Sequence, residues 1–151
     1  MIPVKKTKSL LIRLIALILV FAFAAPLSVS AATTESITPR ASYYLDAYNT
    51  YICDMGNGRI EIWYEVVGTG DMDEIGTLSI YLYESADNST WTWVETFQHE
   101  DYSSMLAYDD WSHVSCVSYQ GSAGKYYKAY VCIWAGKNGD GDTRYMWARM
   151  V

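Results

Sequence analysis

Two histidines, His99 and His113, are the side chains of this sequence best suited to general base catalysis. His99 precedes the acidic pair Glu100–Asp101, and His113 lies shortly after the pair Asp109–Asp110. Serine-type hydrolysis needs a base that a carboxylate orients and a nucleophile within its reach. The chain has no G-x-S-x-G motif, and adjacency in sequence does not make a triad. We therefore expect both histidines at the surface or at strand ends, and no enzymatic activity.

Carboxylate pairs for glycoside hydrolysis are plentiful, and Glu61 with Glu65 is an example. In a β-strand, residues four apart point the same way and lie about 13 Å from each other. That separation exceeds the distance between the two carboxyl groups in either class of glycosidase. The two glutamates are better explained as the solvated face of a strand.

A calcium site is the second kind of chemistry to consider. Asn138, Asp140 and Asp142 stand at alternate positions of KNGDGDTR, as in the first half of a loop with oxygen ligands. Thr143 and Arg149 then stand where an EF-hand loop has glycine and glutamate. The acidic residues of a second loop, GTGDMDEIG, could contribute only if the two loops converge. Turn chemistry explains both loops without a metal. We expect no metal and no cofactor, with these three residues as the alternative calcium site.

Aromatic side chains are the third candidate, because all fourteen tyrosines and six tryptophans follow residue 42. A domain of this size cannot bury them all, and exposed amphipathic rings serve for sugar stacking or protein contact. If Tyr81 and Tyr83 share an outer face with Trp91 and Trp93, they form a flat platform, and Trp111 adds a ring on a nearby loop. Alternatively, the tryptophans pack the core or cover strand edges.

The elements that would position these residues are short strands separated by turns. Apolar and polar residues alternate through them, and no segment after residue 42 shows helical periodicity beyond a turn. Residues 68–76 form a predicted acidic loop, and residues 100–111 are predicted to be a long connection or a short edge element. The pattern predicts a two-sheet antiparallel immunoglobulin-like sandwich of about seven strands, with a small closed barrel as the alternative. The predicted strands are Ser42–Asp54, Arg59–Val67, Thr77–Glu84, Trp91–His99, Ser112–Tyr119, Tyr126–Ala135 and Arg144–Arg149.

The beginning of the chain is predicted to be a signal peptide rather than part of the domain. Four basic residues precede Leu14–Ala25, an apolar run of twelve residues, and small residues follow it. Twelve residues are too few to span a membrane. We expect cleavage after Ala31, or else after Ala32, a flexible leader over 32–41 and a domain over 42–151. The mature protein would then be secreted, extracellular and free of the membrane.

Charge restricts the partners of the mature chain. The signal peptide would remove four of eleven basic residues and none of the seventeen acidic ones, which leaves a net charge of −10. Such a chain repels phosphate backbones and anionic lipids, so nucleic acid and membrane surfaces are not expected as partners.

The three cysteines are Cys53, Cys116 and Cys132, an odd number that leaves at least one unpaired. Cys53 and Cys132 lie in predicted strands, where a disulfide across the sheets is possible in an oxidising compartment. The alternative is that all three are buried free thiols. The chain has no C-x-x-C pair and only two histidines, so we expect no zinc site.

Three segments carry a resemblance to a known family. GTGDMDEIG, YESADNSTWTWV and GKYYKAYVCIWAGKNGDGDTRYMW together resemble a family of small exported proteins from Gram-positive bacteria, catalogued as a domain of unknown function. The resemblance covers most of 42–147 and implies export and a sandwich fold, but it brings no catalytic residues. More loosely, residues 127–139 are similar to the penultimate strand of fibronectin type III domains.

These observations favour a secreted, non-catalytic, aromatic-rich protein. The first hypothesis is a module that binds a glycan or a cell-surface protein through exposed Trp and Tyr side chains. The alternative is a structural protein of the cell envelope that assembles with itself through exposed strand edges. The sequence does not specify the oligomeric state.

Overall fold

The computed structural model describes residues 42–150, and the predicted signal peptide and leader lie outside the described residues. The described chain is all-β, as predicted, apart from one 3-10 turn at Ser103–Met105. None of its helical segments has the length and apolar character needed to cross a bilayer. The six strands are β1 (Leu45–Asp54), β2 (Arg59–Ser85), β3 (Thr92–Gln98), β4 (Leu106–Gln120), β5 (Tyr126–Lys137) and β6 (Asp140–Arg149).

β2 is the centre of the sheet, and its 27 residues allow it to pair with four other strands. Its first half lies between β1 and β4, and its second half lies between β3 and β5, while β6 pairs with β5. All of these pairings are antiparallel. A single parallel bridge between Ile52 and Met150 connects β1 to the residue after β6. The result is one curled antiparallel sheet.

The prediction of a loop over 68–76 was wrong, because this segment is the middle of β2. Glu74 pairs with Tyr108 of β4 on one edge and with Gly136 of β5 on the other. Hydrogen-bond partners on both edges keep the backbone extended even though the segment is acidic and rich in glycine. Two predicted strands are therefore one, and the strands number six rather than about seven. The predicted connection over 100–111 is shortened too, since β4 begins at Leu106.

The core lies on the concave side of the curled sheet. Ile60, Ile62, Tyr64 and Val66 were predicted to share the inward face of their strand, and all four are buried. Buried side chains from the second half of β2 and from β5 join the same cluster. The Tyr64 hydroxyl donates a hydrogen bond to the carbonyl oxygen of Ser104 (3.1 Å), and burial raises the pKa of Tyr64 to about 12.

β3 corrects a second prediction, that Trp91, Trp93, Glu95 and Phe97 share one face. Trp93 is 58% exposed, whereas Phe97 is 2% exposed and belongs to the core. A register shift opposite Leu82 inserts one residue between them, and one extra residue reverses the face of everything beyond it.

Of the two alternatives for the cysteines, the structure has free thiols: no disulfide joins Cys53 to Cys132, and Cys116 is free as well. Cys53 is paired in register with Glu61, and Cys132 with Ser79 and Tyr145. Both cysteines occupy the alternate positions that point away from the core. A disulfide across the core would require both on the inner face.

The carboxylate of Asp142 anchors the start of the described chain. It accepts hydrogen bonds from the Ser42 hydroxyl and from the backbone N–H groups of Tyr43 (2.9 Å) and Tyr44 (3.1 Å). The bond from Ser42 is the main reason that the pKa of Asp142 lies below its ordinary value of 3.8. A depressed carboxyl pKa contributes stability that is present above the ordinary value and is lost as the pH falls through the folded-state pKa.

We therefore expect Asp142→Asn to lower the free energy of unfolding at neutral pH by about 1 kcal/mol. The difference from wild type should shrink as the pH falls below 3.8. Urea unfolding at several pH values measures both effects. Asp109→Asn is the matched control, since Asp109 is exposed and its side chain makes no hydrogen bond within the described chain. Equal decreases in the free energy of unfolding of the two variants would contradict the prediction.

Candidate functional site

One outer surface of the sheet carries a continuous group of aromatic side chains, contributed by β3, the second half of β2, β5 and β6. Successive residues of a strand point to opposite faces, and the intervening Ile80 and Leu82 are buried. Tyr81 is paired in register with Tyr130, which is paired with Trp147 on its other side. We call this group the aromatic platform. It consists of Tyr81, Tyr83, Trp93, Tyr130, Tyr145 and Trp147.

Four of the six platform rings pack against one another. Trp147 lies against Tyr130, with ring centroids 4.8 Å apart, and against Tyr83 at 5.7 Å. Tyr130 and Tyr145 are stacked at 5.5 Å with an interplanar angle of 15°. These separations are typical of favourable aromatic pairs. Trp147 is nevertheless 45% exposed, so a rigid apolar surface remains open to solvent.

Lys128 places a positive charge at one end of the platform. Its Nζ lies 4.4 Å from the ring centroid of Trp91, 4.7 Å from that of Trp147 and 5.8 Å from that of Tyr83. These distances fall within the range of cation–π interactions. Cross-strand pairing with Tyr83 fixes the position of Lys128 on β5. The ammonium group therefore links Trp91, which lies just before β3, to the platform.

A cleft of about 550 Å³ opens beside this end of the platform. Its volume falls within the usual range of small-ligand sites. Aromatic, apolar and basic side chains form most of its wall. The residues that line it are Asn88, Trp91, Tyr126, Tyr127, Lys128, Arg149 and Met150.

The turn between β2 and β3 shapes one wall of the cleft. The Asp87 carboxylate accepts hydrogen bonds from the backbone N–H groups of Ser89 (2.9 Å) and Thr90 (2.8 Å), and from the Ser85 hydroxyl (2.8 Å). These donors, with Thr90 the largest contributor, lower the pKa of Asp87. The same turn holds Asn88 in a left-handed conformation with φ of 57°, which asparagine tolerates well. The closed turn carries the chain directly into Trp91.

Tyr127 is a buried residue in the lining of the cleft. Its hydroxyl donates a hydrogen bond to the Glu84 carboxylate (2.8 Å) and accepts one from the Ser122 backbone N–H (3.0 Å). Burial and the bond to Glu84 raise the pKa of Tyr127 from 10.0 to about 12. A raised folded-state pKa contributes stability that is present below pH 10 and is lost as the pH rises toward 12.

Tyr127→Phe should lower the free energy of unfolding at neutral pH by about 1–2 kcal/mol, because the partly buried Glu84 carboxylate and the Ser122 N–H group each lose a hydrogen-bond partner. The difference in free energy of unfolding between variant and wild type should decrease between pH 10 and about pH 12. Urea unfolding in that range measures the difference. Tyr126→Phe is the control, since Tyr126 is 46% exposed and its hydroxyl makes no hydrogen bond within residues 42–150. A difference in free energy of unfolding that stays constant with pH would contradict the raised pKa of Tyr127.

The structure brings together four of the five predicted ligand-binding residues. Tyr81, Tyr83 and Trp93 belong to the platform, and Trp91 contacts its lysine. Trp111 lies elsewhere, in β4 beside residues 67–72 of β2, and it is 57% exposed. Sequence reasoning missed the contribution of the C-terminal hairpin, although alternation along β5 and β6 places three of its aromatic residues on one face. These are Tyr130, Tyr145 and Trp147, and Lys128 lies on β5 beside them.

The two loops considered for calcium do converge, but they bind each other. The Asn138 backbone N–H donates a hydrogen bond to the Asp73 carboxylate (2.6 Å). Asp142 binds the start of the described chain, and Asp140 accepts a hydrogen bond from the Tyr44 hydroxyl (3.2 Å). In residues 42–150 no three His, Cys, Asp or Glu side chains are grouped so that they could hold a metal ion.

Both histidines make structural contacts. His99 Nε2 lies 3.2 Å from Glu100 Oε1 at the end of β3. His113 Nε2 lies 2.8 Å from the Ser104 carbonyl oxygen, which the Tyr64 hydroxyl also binds. Within the described part of the chain, neither ring is hydrogen-bonded to a serine, threonine or cysteine side chain that could act as a nucleophile.

Comparison of the chain with protein-family models, with curated proteins and with solved structures found no match. The functional assignment therefore depends on the geometry of the aromatic platform and the adjoining cleft.

Proposed function

We propose that this chain is a secreted, non-catalytic protein that binds glycans of a cell surface through the aromatic platform. One observation carries the proposal: four strands present six aromatic rings on one outer surface, four of them packed against one another, next to a cleft lined by Lys128. Apolar surface of this kind on a protein marks an interaction site more often than chance.

Glycans suit this surface better than other ligands. A pyranose ring has a face of C–H groups that can lie on an aromatic ring, and hydroxyl groups at its edge that need polar partners. The platform offers both, because tyrosine hydroxyls and tryptophan N–H groups border its apolar rings. The acidic domain, with six basic and sixteen acidic residues over 42–150, disfavours nucleic acid.

Export and the finer fold are part of the same proposal. The sequence pattern over 1–31 and the resemblance to small exported proteins support secretion. One core cluster, built from both halves of β2 with β1 and β5, supports a two-layered, immunoglobulin-like arrangement of the curled sheet. Expression in a secreting bacterial host followed by N-terminal sequencing should find Ala32 as the first residue. Recovery of the uncleaved chain from the membrane fraction would refute the export proposal.

The test of function is binding of the purified protein to a glycan array and to isolated wall polysaccharide, with and without calcium. We expect concentration-dependent binding to a subset of glycans. Calcium dependence would give a role to Asp140 and Asp142. A blank array in both conditions would overturn the proposal. In that case, concentration-dependent sedimentation would favour the alternative of self-assembly.

A further inference from the structure

The described chain contains two basic side chains that have no carboxylate and no hydrogen-bond acceptor as a partner in the protein. Residues 42–150 contain six basic and sixteen acidic side chains, so each basic side chain is expected to have a carboxylate nearby. Four of the cations have a partner. Arg59, Lys125 and Arg144 each lie within 3.9 Å of a carboxylate oxygen, and Lys137 donates a hydrogen bond to a backbone carbonyl oxygen. Within the described chain, Lys128 and Arg149 have neither an ion pair nor a hydrogen bond, and both line the cleft.

These two cations stand directly opposite each other on β5 and β6. Like charges in a cross-strand pair are destabilising, and a carboxylate beside them would relieve the repulsion. The nearest acidic residue along the second half of β2, Glu84, is paired with Tyr127 rather than with Lys128. Its carboxylate binds the Tyr127 hydroxyl (2.8 Å) and Lys125 (3.4 Å) instead. The protein leaves this positive pair unneutralised.

We infer that the cleft binds an acidic sugar, whose carboxylate lies between Lys128 Nζ and the Arg149 guanidinium while its ring lies on Trp91 and the adjoining platform. This inference rests on the proposed function and adds the class of ligand. A guanidinium binds a carboxylate through two parallel N–H···O bonds, and a lysine beside it adds a third donor. The aromatic rings around Lys128 keep water away from one side of the ion pair, which strengthens the attraction.

The surrounding acidic surface limits this attraction to the cleft. Charges farther than about 8 Å are screened at physiological ionic strength, so a carboxylate in the cleft interacts mainly with the two cations. The rest of the domain repels a polyanion. The site should therefore engage one carboxylate of a bound glycan at a time, and a short acidic oligosaccharide should suit it better than a long polyanion. Sugar phosphates and sulfates present similar oxygens, and the experiment must distinguish them from a carboxylate.

Isothermal titration calorimetry of the purified protein with trigalacturonate tests the inference. The methyl ester of the same trisaccharide is the neutral control, and galactose phosphate, galactose sulfate and inorganic phosphate are the other anions. We expect the acid to bind at least about tenfold more tightly than the ester. Inorganic phosphate alone should not displace it, because it cannot stack on the rings.

Two variants assign the effect to the cations. Lys128→Gln and Arg149→Gln should each weaken binding of trigalacturonate about tenfold, and Arg149→Gln should change binding of the ester less than about twofold. Lys137→Gln, which alters a cation outside the cleft, should change neither. If the near-UV circular dichroism shows that Lys128→Gln disturbs the packing of the aromatic rings, the test uses only the variant of the exposed Arg149.

The outcomes separate this inference from the proposed function. Equal affinity for the acid and the ester would overturn the inference and leave glycan binding intact. Tighter binding of galactose phosphate or sulfate than of the galacturonate would overturn the choice of carboxylate. Displacement of trigalacturonate by inorganic phosphate at equal concentration would show an anion site without a sugar, which also overturns the inference. A blank array would overturn the proposed function itself.

Discussion

Gly76→Ala is expected to lower the free energy of unfolding by about 3 kcal/mol or more. Gly76 has φ of +145°, a conformation that residues with a side chain rarely adopt. A Cβ atom there would overlap the Met105 carbonyl oxygen and lie 3.2 Å from Leu106 Cα, both of them backbone atoms that cannot move aside cheaply. Gly76 is the last of three consecutive residues, 74–76, at which β2 pairs with β4 and β5 together, so the strain falls on the junction of the sheet.

Chemical denaturation monitored by tryptophan fluorescence measures this loss. Gly70→Ala is the matched control in the same strand, because a Cβ atom at Gly70 would meet no atom within 4 Å. The control should change the free energy of unfolding by less than about 0.5 kcal/mol. Equal denaturant midpoints for the two variants would contradict the close contact between Gly76 of β2 and the backbone at residues 105–106.

The double variant Trp93→Ala/Trp147→Ala is expected to weaken binding of the glycans found on the array by about 30-fold or more. A tryptophan at the centre of an interface commonly contributes about 2 kcal/mol or more, which corresponds to about 30-fold in affinity. Trp147 should account for the larger part of the loss in affinity. It contacts Tyr83, Tyr130 and Lys128, and its removal takes a packing contact from all three. Trp93 is more exposed and supplies the far edge of the platform.

Trp111→Ala is the control for this variant. Trp111 is as exposed as Trp93, at 57% against 58%, but it lies in β4 and outside the platform. Its removal should change glycan affinity less than about twofold, within the spread of peripheral contacts. A double variant that still folds and binds as tightly as wild type would refute the platform as the binding surface. A large loss in Trp111→Ala would relocate the site.

Local sequence patterns predicted most strands of this protein because their inner faces alternate clearly. Residues 59–67 are the best example, with every second side chain buried as expected. The pattern failed at 68–76, where glycines and carboxylates are typical of a loop. Pairing with β4 on one edge and β5 on the other holds this segment extended, and such long-range pairing leaves no local signal.

The candidate site was predictable only in part for the same reason. Tyr81 and Tyr83 alternate within one strand, so their shared face could be read from the sequence. Trp93 joined them only through a bulge, which moved it to the opposite face from Phe97. Trp147 belongs to the platform because β6 pairs with β5 in one particular register, and that register is set by the hairpin turn.

The most direct test of the central claim is a nuclear magnetic resonance titration of the six tryptophan indole N–H signals with trigalacturonate and with its methyl ester. Binding at the platform and cleft should shift the signals of Trp91, Trp93 and Trp147. The three remaining signals, from Trp63, Trp111 and Trp134, should stay in place. Shifts confined to these three during binding would contradict the claim that this protein recognises glycans through the aromatic platform.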